Sequence, residues 1–205
     1  MPFNNTAIDQ MLDALNGGSP LSIIAYASLH TAYSSSGLNE LTGGSPGYAR
    51  EGVTWSAAST GSKQSASVAG AFNVPASTTV AYVGLWSASS SGTFAGMGPN
   101  GGATQYGFTA ATSGNLFTAP GSSYSAGQTV VLFDGAGSTI PSNFTVGTVY
   151  YIISPSGATF ELSASSGGAA ITVNAAGAGI VQAITLESFG AQGTFTLSSE
   201  TLSLV

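Results

Sequence analysis

The stretch "TTVAYVGLWSA", Thr78 to Ala88, decides the fold. Val80, Tyr82, Gly84 and Trp86 fall on one side of an extended chain and Ala81, Val83 and Leu85 on the other, the period of two that a β-strand imposes. Both sides are largely apolar, so the stretch predicts a central strand with neighbours on either side. Just upstream, "SASVAGAFNVP" reads as another β-segment, and Pro75 with "AST" between the two runs supplies a turn, because proline fixes φ and cannot donate to a ladder. The two runs are expected to pair antiparallel.

Further out, "LSIIAYASLHT" and "GYAREGVTW" read as earlier strands, all separated by Gly, Ser, Pro and Asn, the pattern of an all-β sandwich or barrel. The Gly-dense run from Ser91 to Asn115 is expected to be a long loop ending in a linker, with a module boundary near Gly114. Beyond it, "GQTVVLFDG", "GTVYYIISPSG", "ATFELSASSGG", "AAITVN" and "GIVQAITLES" predict five strands of a small β-module. The tail "GAQGTFTLSSETLSLV" alternates Phe195, Leu197, Leu202 and Leu204 with Thr and Ser, which predicts a final half-buried strand or hairpin attachable to either module.

One helix is expected. Ile8, Met11, Leu12 and Leu15 follow the i, i+3, i+4, i+7 spacing, Thr6 stands as N-cap with Asp9 three residues later, and Gly17-Gly18 ends the run. So short a helix needs a partner for its apolar stripe, either the body of the chain or a neighbouring subunit, which makes these four residues candidate oligomer or attachment contacts.

Composition excludes several classes. Of 205 residues 43% are apolar, enough for a core, while charged residues are 5% against about 25% in an average domain. The net charge is −6 with Arg50 and Lys63 as the only cations, so no basic patch exists for a nucleic acid or an anionic membrane. There is no cysteine for a disulfide or a thiolate metal site. No run of about 18 apolar residues offers a membrane span, and "MPFNNTAIDQ" lacks the pattern of a secretory signal; a soluble, unprocessed protein is expected.

Candidate chemistry is sparse. Leu29 to Trp55 gathers the single histidine, His30, with Arg50, Glu40 and Glu51, yet local spacing supplies no nucleophile or orienting group, since Thr31 and Ser34 are two of very many hydroxyls. His30 is expected to be a hydrogen-bonded structural residue, and Arg50 to pair with Glu40 or Glu51 and hold a loop. Glycine turns such as "GSPGY" are not phosphate loops, and Asp134, Glu161 and Glu187 lack the spacing of a calcium cage. No cofactor and no enzymatic activity are expected. Aromatic faces beside hydroxyls suit neutral sugars, which leaves Trp86 and Tyr106, with Tyr26, Tyr33 and Tyr124, as candidate glycan contacts.

"SLHTAYSSSGLNELTGGSPGYAREGVTWSAAS", followed by "FNVPASTTVAYVGLWSASSSGTF" and the closing "GAQGTFTLSSETLSLV", resembles a family of tailed-bacteriophage structural proteins described as tail-fibre-like. The intervening stretch, marked by Tyr150-Tyr151, Thr159-Phe160, Leu162-Ser163 and Gly167-Gly168, looks like a small β-module inserted in many phage structural proteins. The resemblance implies an all-β protein with an antiparallel, jelly-roll-like β-sandwich: residues 1–20 as arm and helix, 21–113 completed by 186–205 as the sandwich, and 114–185 as the insert. It carries over no catalytic residue, and it gives His30, Tyr48, Arg50 and Trp55 the role of fixing strand ends and corners. "SSSG" stands where the family would have a more acidic loop, which argues against an ion-dependent role there. The expectation is a homo-oligomeric, trimer-favoured virion protein, made in the bacterial host cytoplasm and displayed on the particle surface. It is either a tail-associated appendage touching the host or a capsid decoration or head-fibre protein, with a carbohydrate-binding module as a more distant reading. Its partners would be other virion proteins and a host surface glycan.

Overall fold

The structure, a computed structural model, describes residues 24–56, 62–199 and 201–203. The helix expected over Thr6 to Leu15, with its candidate contacts Ile8, Met11, Leu12 and Leu15, lies outside the described residues.

The described chain is all-β with antiparallel pairing throughout. In chain order the first strands are β1 (Tyr26–His30), β2 (Glu51–Trp55), β3 (Ser62–Val68), β4 (Phe72–Val74), β5 (Thr78–Val80), β6 (Tyr82–Trp86) and β7 (Phe94–Pro99). Then come β8 (Gln105–Ala111), β9 (Leu116–Thr118), β10 (Thr129–Phe133), β11 (Val149–Ser156), β12 (Thr159–Ser163) and β13 (Gly177–Ala183). The last are β14 (Glu187–Phe189), β15 (Gly193–Phe195) and β16 (Thr201–Ser203). Two compact units divide them, one taking the chain up to Asn100 and again from Leu186, the other Gly101–Thr185.

In the first unit a six-stranded sheet runs β16-β3-β2-β1-β6-β7, beside two ribbons, β14-β5 and β15-β4. The Tyr82–Trp86 part of the alternation is realised as β6, fully buried and paired with β1 on one side and β7 on the other. Its Val83 and Leu85 join Ala27, Leu29, Val53 and Ala95 of the sheet in one apolar core with Phe72, Val74, Val80 and Phe195 of the ribbons. The antiparallel pairing expected between the runs flanking Pro75 does not form. Each run breaks, near Gly70 and at Ala81, and its halves join different sheets: β3 and β6 enter the large one, β4 and β5 the ribbons. The tail, together with Glu187–Phe189, supplies the partners of β5, β4 and β3.

The second unit is a closed barrel, β10-β11-β12-β9-β8-β13. The run from Ser91 to Asn115 is not a loop: its ends form β7 and β8, and the junction falls at Asn100–Gly101 rather than near Gly114. Glycines hid the pattern, because Gly96, Gly98 and Gly107 occupy strand positions where a side chain would have marked the period. "AAITVN" forms no strand; Ile171 N–H donates to Leu162 C=O at 2.8 Å without a ladder. Phe117 centres the barrel core, stacked on Phe160 at 5.7 Å and edge-on to Phe144 at 5.2 Å. No helix among the described residues is long and apolar enough to cross a membrane.

Candidate functional site

The candidate site lies on the face of the six-stranded sheet opposite the apolar core. Along β1, Ala27 and Leu29 point into that core, so Ser28 and His30 must point the other way. Residues 31–50 leave β1 and return at β2: Ser34 and Leu38 lie over this face, against Met97 and His30, while Leu41 enters the apolar core and Tyr48 packs on it. Thr31 N–H donates to Asn39 C=O at 3.0 Å, and Leu41 N–H to Leu29 C=O at 3.0 Å, so the excursion doubles back along the end of β1. Ser34 organises its tip, its Oγ accepting from Ser36 N–H at 3.1 Å and Leu38 N–H at 3.0 Å.

His30 Nδ1 is 2.8 Å from Leu38 C=O. A carbonyl only accepts, so Nδ1 carries the proton. Nε2 then accepts from the Ser28 hydroxyl at 2.7 Å, and Ser28 Oγ accepts from Trp86 Nε1–H at 2.9 Å. The relay runs one way: Trp86 to Ser28 to His30 to Leu38. Ser28 and His30 are both 0% exposed. Desolvation pushes the His30 pKa down and Arg50 adds to this, opposed by the bond to Leu38 and by Glu40. The pair presses on β6, where a Cβ on Gly84 would stand 2.5 Å from both His30 Nε2 and Ser28 Oγ.

Beside the relay, Arg50 grips Glu40 with both limbs of its fork, Nε to Oε1 at 2.8 Å and Nη2 to Oε2 at 2.7 Å. Its Nη1 reaches Ala88 C=O at 3.0 Å and Ser91 C=O at 2.7 Å. Tyr48 accepts from Leu29 N–H at 2.8 Å and donates to Glu40 Oε1 at 3.3 Å, and burial pushes its pKa up. Trp55 Nε1–H donates to Ile24 C=O at 2.6 Å. His30, Tyr48, Arg50 and Trp55 therefore all bind strand ends or loop backbone.

A hydroxyl 2.7 Å from an imidazole whose far nitrogen is fixed has the outline of a nucleophile–base pair. It lacks access: with neither side chain exposed, no substrate carbonyl reaches Ser28 Oγ in this conformation. Compared with protein-family models, curated proteins and solved structures, the chain has no match.

Of the sequence candidates, Arg50 pairs with Glu40 and not Glu51. Trp86 is corrected as a glycan contact: it is 9% exposed, with Arg50 over its face and Phe94 tilted against it at 5.0 Å, so no ring face is left for a sugar. Tyr106, in the barrel unit, is half-buried and edge-on to Tyr124 at 6.2 Å. Asp134 Oδ1 accepts from Ile140 N–H at 3.0 Å, and no group of three or more His, Asp or Glu among the described residues is placed to hold a metal. Sequence reasoning missed Ser28. Searching forward of His30, to Thr31 and Ser34, overlooked the residue two positions back, which a strand's period puts on the same face.

Proposed function

We propose that the chain is a non-enzymatic structural protein of a bacteriophage virion, a surface appendage of the tail-fibre-like type that assembles as a homo-oligomer, most simply a trimer. The observation that carries the reading is the use made of the polar residues from His30 to Trp55. His30, Tyr48, Arg50 and Trp55 spend their hydrogen bonds on backbone, on the Glu40 carboxylate or, for His30 Nε2, on the buried Ser28 hydroxyl, which suits a particle component that must stay rigid better than a site that must turn over. The motif resemblance of residues 28–94 and of the tail supports it, as does a charge content of 5%. A jelly-roll-like sandwich in the first unit is supported by the single core shared between the six-stranded sheet and the two ribbons. The segment around Ile8, Met11, Leu12 and Leu15 would attach or trimerise it, burying the stripe by cyclic symmetry. Synthesis would be in the host cytoplasm and display on the particle, among other virion proteins and against host glycan, with Tyr106 the remaining candidate contact.

Antibody-gold labelling of intact particles tests the reading. Label at the tail is the expected result. Label over the head would replace the appendage with a capsid decoration or head-fibre role, and unlabelled particles beside labelled cell lysate would overturn the virion assignment.

A further inference from the structure

We draw no further inference here: the strongest candidate, the Leu38 side chain standing 67% exposed at the tip of the loop between β1 and β2, is a single apolar projection, and nothing in the structure shows what covers it.

Discussion

The guanidinium carbon of Arg50 lies 3.6 Å from the centroid of the Trp86 ring. The same group that grips Glu40 therefore roofs the start of the His30 relay, joining β2's approach, the loop and β6 at one point. Truncation by Arg50→Met strands a largely buried carboxylate and is expected to remove about 3 kcal/mol of stability. Arg50→Lys keeps the charge but neither the fork nor the planar stack, and should still cost about 1–2 kcal/mol in urea denaturation. A loss under about 0.5 kcal/mol for the lysine variant would mean that charge alone holds the loop.

Gly84 and Gly107 are both strand glycines with opposite surroundings. A Cβ at Gly84 meets His30 Nε2 and Ser28 Oγ at 2.5 Å, whereas at Gly107 nothing lies within 4 Å. Gly84→Ala is expected to cost about 3 kcal/mol or prevent folding, and Gly107→Ala to be neutral or stabilising by about 0.5 kcal/mol. Thermal melts of the two variants decide, and equal effects would remove the packing argument.

Tyr124 carries a buried hydroxyl with no hydrogen-bond partner among the described residues, and desolvation pushes its pKa up to about 12. Tyr124→Phe removes a desolvated donor and leaves the edge-on contact to Phe160 at 5.3 Å intact. The variant should be as stable as the parent or more so by about 1 kcal/mol; a destabilisation of that size in denaturant melts would reveal a partner for the hydroxyl.

Phe117 touches Phe108, Phe144 and Phe160 with no exposure of its own. Phe117→Ala should take about 3–5 kcal/mol from the barrel. Near-ultraviolet circular dichroism together with amide exchange at Ile152 would register it, while protection at Leu41, in the other unit, stays as before.

Strong alternation was legible: Val80 to Trp86 announced a two-faced strand, and its Tyr82–Trp86 portion is β6, while Val80 ends β5. Where glycine replaces the marking side chain, as at Gly96 and Gly107, the period disappears from the sequence although the backbone still pairs. Pairing partners were illegible for another reason. Local turn chemistry at Pro75 suggested a hairpin, but β4 and β5 are claimed by β15 and β14, whose identity no local pattern encodes. At the site, Arg50 with a glutamate was readable from scarcity, since two cations leave few pairings. Ser28 was not, because one serine among so many carries no signal until the strand's facing is known. Trp86 misled for a related reason, aromatic identity being silent on exposure.

The nested pairing of β14 with β5, β15 with β4 and β16 with β3 joins segments over a hundred residues apart. During synthesis this imposes an order. The barrel, contiguous in sequence, has all its strands once Thr185 has left the ribosome, whereas β4 and β5 wait unpartnered, and β3 is paired on its β2 side alone, until residues 187–203 emerge. A ribosome that stalls inside that stretch releases a chain with its barrel strands complete and open strand edges beside it, the form most prone to join its neighbours edge to edge.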